Sequence, residues 1–133
     1  MLYHEYPSGA SQKKVETLIM GGGYYHPNTQ FFESAETIAL IRRTRATKYF
    51  LSAAGVSREL GLTCANQYEV PVKQSCIASS LKKILLVDSQ KFDRIRPAYF
   101  ASLNVADTVI TDCGVKPDWV HLMEDMAITV ITV

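Results

Sequence analysis

The chain has 133 residues, a formal net charge of +1 and 47% hydrophobic residues. This length suits one domain with a buried core, and the composition excludes a disordered chain. The near-zero charge gives no general affinity for nucleic acid or anionic membranes, and no apolar run approaches the roughly 20 residues of a membrane span. The three cysteines show no Cys-x-x-Cys spacing, which favours a reducing cytoplasm.

Alternating strand and helix patterns predict an α/β fold. Short apolar, mostly β-branched segments predict buried parallel strands over residues 15–20, 48–52, 84–88, 108–111 and 128–133. Helical patterns separate them over residues 34–45, from about 69–71 to 83, and over 117–126. Ser34 is a plausible N-cap, and Pro71 and Pro117 suit the first turn of a helix. We therefore expect a doubly wound parallel sheet with helices on both faces.

A run of glycines, Gly21, Gly22 and Gly23, directly follows the first predicted strand. Three residues without Cβ atoms let backbone N–H groups approach an anion closely. The alternative is a tight turn that leads into the next loop. No Walker-type lysine follows, and no Gly-x-Gly-x-x-Gly opens a helix, so nucleotide binding is not supported.

Small residues also follow the second predicted strand, where Ala53 and Gly55 would let a ligand press against bare backbone. The alternative is close packing of this turn on the sheet. Downstream, Asn66 is either a turn residue or an amide that reads a hydroxyl group. Glu69 and Lys73 form either an exposed i,i+4 ion pair or part of an anion site at a helix N-terminus.

Asp88 and Lys91 follow the third predicted strand. A lysine at this place can neutralise a phosphate, and Asp88 can hold the lysine or accept a hydrogen bond from a sugar hydroxyl. The alternative is ordinary Asp-Ser turn chemistry.

The remaining reactive side chains predict no further site. His4, His26 and His121 are scattered without metal-ligand spacing, and Cys113 has no adjacent activating base. The basic clusters at 42–48 and 91–96 suit solvated surface or a subunit contact better than DNA. We therefore predict no catalytic residue, no metal and no cofactor.

The segments FLSAAGVS, ELGLTCANQYEVPVK, ILLVDSQKF, IRPAYF and DTVITD occur in this order. From about residue 15 onward, the chain resembles the effector-binding half of the DeoR family of bacterial sugar-operon repressors. The resemblance implies a three-layer, Rossmann-like parallel sheet, similar to that of sugar-phosphate isomerases, and places a Gly-Gly pair beside an effector pocket. It implies a phosphorylated sugar or related metabolite as ligand, oligomeric subunits, and DNA binding only through a helix-turn-helix that this chain lacks.

Compared with members of this family, the chain is predicted to be a single partial effector-binding domain over residues 1–133, truncated at its N-terminus. The motifs also resemble type A ribose phosphate isomerases, whose turn at the place of residues 52–57 is acidic. Here that turn carries no acid, while Lys73 and Lys91 keep their places. Proton abstraction needs a base, so this pattern indicates binding without turnover. The alternatives are an isomerase-like enzyme and a remnant that folds but binds nothing.

Three expectations follow for the structure. Gly22, Gly55, Asp88 and Asp112 should lie at one edge of the sheet, because each follows an apolar strand. Lys73 and Lys91 should converge with N–H groups of the 21–23 or 52–57 turn on one anion-sized spot. Missing N-terminal units should leave an unpaired edge and an apolar face, which predicts a homodimer or larger assembly. We expect no membrane contact, because no apolar run is long enough to span a membrane.

Overall fold

The computed structural model describes residues 2–3 and 17–133. The helices are α1 (Ala35–Arg43), α2 (Val70–Ala78) and α3 (Pro117–Asp125), and single 3-10 turns cover Gln67–Glu69, Ser89–Lys91 and Leu103–Val105. The strands, in chain order, are β1 (Leu2–Tyr3), β2 (Tyr24–His26), β3 (Phe31–Glu33), β4 (Ala46–Leu51), β5 (Gly55–Ser57), β6 (Gly61–Cys64), β7 (Ser80–Leu86), β8 (Ala98–Ala101), β9 (Thr108–Thr111) and β10 (Thr129–Thr132).

The main sheet has the order β1-β4-β7-β9-β10, with β4, β7, β9 and β10 parallel and β1 antiparallel at the edge. The predicted α/β fold with a parallel sheet is confirmed. The doubly wound, three-layer arrangement is wrong for the described residues, because the strand order never reverses. Right-handed crossovers that all step in one direction place α2 and α3 on the same face of the sheet.

Burial separates the two faces of this sheet. Leu51, Leu85 and Val109 lie side by side in register and are at most 2% exposed. On the opposite face, Leu86 and Ile131 are 42% and 44% exposed on either side of Ile110. No described element covers this second face, which we call the open face.

The strand predicted over residues 15–20 is not formed in the part of this segment that the structure describes. Residues 15 and 16 lie outside the described residues, and residues 17–20 have no regular structure, with Leu18 and Ile19 exposed. The reason is strand pairing: β4 already has β7 on one side and β1 on the other. No edge of β4 is left for this segment.

Two small antiparallel units were not predicted. One is the β2–β3 hairpin, and the other is a three-stranded sheet of order β5-β6-β8. The second sheet packs into the main core, to which it contributes Val56, Leu62 and Phe100. Strands of three or four residues are too short to show a periodic pattern.

The helix boundaries follow the sequence signals only in part. The Ser34 hydroxyl accepts a hydrogen bond from the Thr37 N–H at 3.0 Å, which confirms the predicted N-cap of α1. The predicted second helix runs too far, because α2 ends at Ala78 and β7 begins at Ser80. Pairing of β7 with both β4 and β9 overrides the local helical pattern.

Among the described residues, no helix is long and apolar enough to cross a membrane.

Candidate functional site

The turns that follow β4, β7 and β9 share one edge of the main sheet, because these strands are parallel. A hydrogen bond from the Ser89 N–H to the Asp112 Oδ1 atom, at 2.6 Å, joins two of these turns directly. Gly55, Asp88 and Asp112 therefore lie at the same edge, as predicted, whereas the predicted place of Gly22 at this edge stays a prediction. In an open α/β sheet this edge is where ligands bind.

Lys73 is the buried cation of this edge. It lies on α2 beneath the turn after β4, where its Nζ atom donates a hydrogen bond to the Ser52 carbonyl oxygen at 2.8 Å. The ammonium group lies 5.0 Å from the centre of the Phe100 ring, and the residue is only 5% exposed. Burial lowers the pKa of Lys73 below its usual value, although the nearby carboxylate of Glu69 acts in the opposite direction.

Glu69 does not pair with Lys73, so the alternative of an exposed i,i+4 ion pair is wrong. Both residues are buried, and no ion pair joins them in the described structure. The Glu69 Oε1 atom instead accepts the Asn66 backbone N–H at 3.2 Å and its side-chain amide at 3.5 Å. The same amide reaches the Tyr68 hydroxyl at 3.2 Å. Asn66 and Glu69 therefore fix the start of α2, and Ala53 is buried in the hydrophobic core.

Lys91 and Asp88 form a second polar group on the neighbouring strand end. The Lys91 Nζ atom lies 3.8 Å from the Asp88 Oδ2 atom, and the other Asp88 oxygen accepts the Gln90 N–H at 3.0 Å. Asp112 accepts the N–H groups of Ser89 and Gly114, and these bonds hold its pKa below the usual value, Ser89 contributing most. Carboxylates therefore occupy several N–H groups of this edge.

The glycine run lies against α1 and has no described contact with the two lysines. The Gly22 carbonyl oxygen accepts hydrogen bonds from the Thr37 hydroxyl at 2.5 Å and the Ser34 hydroxyl at 3.5 Å. Gly23 has φ +119°, and a Cβ atom there would lie 2.3 Å from the Glu33 carbonyl oxygen. The turn therefore needs glycine at this position for its backbone shape.

Two surface depressions lie away from Lys73, Asp88 and Lys91. One of about 390 Å³ lies between Gly21–Gly23 and α1, and one of about 710 Å³ lies between the β5–β6 turn and α3.

Sequence reasoning missed Phe100 and the Ser52 carbonyl as partners of Lys73. A backbone carbonyl carries no sequence signal, and Phe100 is 27 residues away along the chain.

The two buried cysteines do not form a reactive centre, and Cys113 is exposed. Cys64 and Cys76 are buried beside Tyr49, and burial raises the pKa of each thiol and of the Tyr49 phenol. A thiol with a raised pKa is a poor nucleophile. The described residues hold no group of three histidine, cysteine or acidic side chains that could bind a metal ion.

Sequence comparison adds the family. The family model of the DeoR C terminal sensor domain matches residues 8–113. The chain is 32% identical over 107 residues to the deoxyribose operon repressor of Escherichia coli strain K12. The aligned region covers 80% of this chain and 42% of the repressor.

Two further regulators show similar matches. The putative sgc region transcriptional regulator of the same strain is 36% identical over 102 residues, covering 75% of this chain and 38% of the regulator. The lactose phosphotransferase system repressor of Lactococcus lactis subsp. lactis is 32% identical over 114 residues. This alignment covers 86% of this chain and 44% of the repressor. The chain thus spans less than half the length of these relatives, and it belongs to the DeoR C-terminal sensor domain family.

Proposed function

We propose that this chain is a partial effector-binding domain of a DeoR-type regulator of sugar metabolism that acts in the cytoplasm. Its ligand is a phosphorylated sugar or a related metabolite, bound at the edge of the main sheet that carries Lys73 and Lys91. The observation that carries this proposal is the buried ammonium group of Lys73, which has a neutral carbonyl as its hydrogen-bond acceptor.

A buried cation is costly unless an anion accompanies it. Lys73 has no carboxylate within ion-pair distance in the described structure, and its ammonium group carries more donors than the single bond to Ser52 uses. A phosphate at the turn after β4 would supply the missing charge. Lys91 stands at the end of β7, the strand next to β4, and supports the same anion from the side.

The acids at this edge argue against an enzyme. Asp88 and Asp112 hold backbone N–H groups, and Glu69 holds Asn66. The turn after β4 carries no acid. Abstraction of a proton beside a carbonyl needs a positioned base with access to the substrate. The named relatives are transcriptional repressors and regulators, which agrees with binding without turnover.

Calorimetry with a panel of sugar phosphates tests this proposal. We expect weak binding, with a dissociation constant of about 1 mM, or about 4 kcal/mol. Lys73→Met should abolish the binding heat, and Lys91→Met should weaken the binding. Lys82→Met, an exposed lysine on the open face, is the control and should leave binding unchanged. No heat with any sugar phosphate would mean that the domain binds no such effector, and conversion of a pentose phosphate would point to the isomerase instead.

The proposed regulator works through self-association. Strand β10 is uncharged, and its outer edge has no strand partner among the described residues. An unpaired edge beside an apolar open face favours pairing with a second copy. The net charge of +1 offers no electrostatic footprint for DNA, so in this proposal a separate helix-turn-helix domain makes the DNA contact.

A further inference from the structure

The turns that follow β7 and β9 together form a small group of converging hydrogen-bond donors, which belong to Ser89 and Gly114 and which we call the donor cradle. The Ser89 N–H donates to the Asp112 Oδ1 atom at 2.6 Å, and the Gly114 N–H donates to the Asp112 Oδ2 atom at 3.0 Å. The Ser89 hydroxyl also hydrogen-bonds this carboxylate. Donors from two separate turns therefore hold both oxygens of one anionic group.

Gly114 keeps the donor cradle open for an anion. A Cβ atom at this position would lie 2.7 Å from the Ser89 Oγ atom and 2.8 Å from the Asp112 Oδ2 atom, so a side chain would fill the cradle. Backbone N–H groups that approach one point without an intervening Cβ atom are characteristic of anion sites. The fold thus forms a seat for anionic oxygens and places one of its own carboxylates in it.

The donor cradle lies at the middle of the edge that is proposed to bind the effector. The strand order puts β7 between β4 and β9, so the turn after β7 has the turn above Lys73 on one side and Asp112 on the other. Lys91 belongs to the same 3-10 turn as Ser89. An anion at the end of β7 is therefore flanked by the turn that covers Lys73 and by the cradle.

Asp112 can leave the donor cradle without breaking an ion pair. Its side chain belongs to a partly exposed residue, and no ion pair joins it to a cation among the residues that the structure describes. Hydrogen bonds to N–H and O–H groups are what a phosphate would have to replace. A phosphate carries more charge and more acceptor oxygens than a carboxylate, so the same donors bind it at least as well.

We propose that the donor cradle is the seat of the effector's phosphate, and that Asp112 is an internal competitor that fills it in the free domain. This inference rests on the proposed function, because it gives the phosphate a place at the same edge. Phosphate oxygens replace the carboxylate oxygens on Ser89 and Gly114, and the Asp112 side chain turns into water. Only the fraction of molecules with a free cradle binds, which lowers the apparent affinity.

The exchange also gives binding a route to α3. The Asp112 carbonyl oxygen accepts the Val115 N–H at 3.2 Å, in the turn that leads to the start of α3 at Pro117. When the Asp112 side chain leaves the cradle, this turn loses the hydrogen bond that ties it to Ser89 on the neighbouring strand end. The start of α3 is therefore the element that differs between the free and the bound domain.

Nuclear magnetic resonance of the isotope-labelled full chain, titrated with inorganic phosphate and with a panel of sugar phosphates, tests this exchange. In the wild type, the amide signals of Ser89 and Gly114 should shift with one dissociation constant, and the side-chain carboxyl signal of Asp112 should move to that of a solvated carboxylate. Asp112→Asn should tighten binding by roughly three- to tenfold, because a neutral amide oxygen competes less well for the donors. Gly114→Ala should weaken binding, because its Cβ atom fills the cradle.

Asp107→Asn is the matched control. Asp107 precedes β9 just as Asp112 follows it, and its Oδ2 atom accepts the Lys83 N–H at 2.8 Å at the opposite edge of the sheet. The variant removes the same charge from the same kind of hydrogen bond, and it should leave binding unchanged.

The outcomes separate this inference from the proposed function. If the wild type binds a sugar phosphate but Asp112→Asn binds it no more tightly, or Asp107→Asn tightens binding equally, the inference is overturned and the proposed function stands. Should Asp112→Asn fail to fold, the wild-type signals decide: an Asp112 carboxyl signal that stays fixed while ligand binds overturns the inference. If neither protein binds inorganic phosphate or any sugar phosphate, the proposed function fails and the inference fails with it.

Discussion

At the scale of single residues, Lys73 holds a charge where the fold by itself would favour an apolar side chain. It is almost fully buried under the turn after β4, and its hydrogen-bond acceptor is the neutral carbonyl of Ser52. Removing a cation from water without an anion costs free energy. A residue that costs stability in the free domain but binds an anion is what a ligand site requires.

We expect Lys73→Met to raise the free energy of unfolding by roughly 1–2 kcal/mol while it removes effector binding. The thioether side chain is of similar length, and the carbonyl that loses its donor belongs to Ser52, an exposed residue. Urea unfolding followed by the fluorescence of the single tryptophan, Trp119, measures the change. A loss of several kcal/mol would show that the bond to Ser52 outweighs the cost of burial.

The pH dependence of this difference carries a defined sign. The folded-state pKa of Lys73 lies below the ordinary 10.5, so the unfolded chain binds more protons in the window between them. Wild-type stability therefore gains relative to Lys73→Met as pH rises toward 10.5, and the advantage of the variant shrinks. Cys64, Cys76 and Tyr49 have raised pKa values and act in the opposite sense. Both proteins contain these groups, and the Lys73 charge lowers the pKa of Cys64 and Cys76, so unfolding curves compared at each pH report the lysine together with its coupling to these thiols.

Gly55 and Gly22 separate a glycine that packing requires from one with free space. A Cβ atom at Gly55 would lie 2.5 Å from the Arg94 carbonyl oxygen and 2.7 Å from the Thr63 Oγ1 atom, whereas one at Gly22 would meet nothing within 4 Å. We expect Gly55→Ala to cost about 1–3 kcal/mol. Gly22→Ala should be neutral or stabilise by up to about 1 kcal/mol. Thermal unfolding of both variants measures the two changes in stability. Equal changes for Gly55→Ala and Gly22→Ala would contradict this geometry.

At the scale of elements, Asp93 holds α3 to the rest of the fold. Its two carboxylate oxygens accept the Trp119 indole N–H at 3.1 Å and the Lys116 ammonium at 3.2 Å. Its own N–H bonds the Val56 carbonyl, and its φ is +61°. One residue thus joins the helix to the small antiparallel sheet.

We expect Asp93→Ala to destabilise the chain by about 1–3 kcal/mol, because it leaves the buried indole N–H unpaired and strains the backbone. Asp93→Asn keeps an acceptor and tolerates positive φ, so it should cost less. The indole bond above all lowers the pKa of Asp93, so the carboxylate's contribution is present above 3.8 and is lost as pH falls through the folded-state pKa. Unfolding of both variants at neutral and acid pH measures this, and equal losses would rule out the indole bond as the main link.

The elements that the sequence predicted well are those with a local signal. The strand over residues 108–111 and the helix that begins at Pro117 match the structure, because β-branched runs and a proline in the first turn are local features. The end of α2 and the start of β7 were missed, since residues 79–83 become a strand only through pairing with β4. The same dependence on a partner explains the absent strand at 17–20.

The candidate site was predictable in position but not in its contacts. The parallel strand order puts Gly55, Asp88 and Asp112 at one edge, and apolar strands followed by polar turns are visible in the sequence. The burial of Lys73 was not, because the side chains that cover it come from residues far along the chain. The convergence of Lys73 and Lys91 on one anion stays a prediction.

At the scale of the whole molecule, the main sheet is covered on one face. The open face presents a continuous apolar row, Leu86, Ile110 and Ile131, beside the unpaired edge of β10. Burying such a row yields about 25 cal/mol for each Å² removed from water, so association through it is driven by apolar contact. This driving force strengthens with kosmotropic salt, whereas exposed charge pairs weaken with salt.

We therefore expect the chain to self-associate through the open face at tens of micromolar, in a form that persists at high ionic strength. Leu86→Lys and Ile131→Lys should each shift the population toward monomer, because an ammonium group placed in an apolar contact must lose its water. Leu81→Lys is the matched control: Leu81 is exposed on the same sheet, but alternation along β7 puts it on the opposite face from Leu86. Light scattering in sulfate buffer measures the mass of each variant. A clean wild-type monomer of 14.8 kDa, or an equal effect of the Leu81 control, would show that the open face binds no second copy.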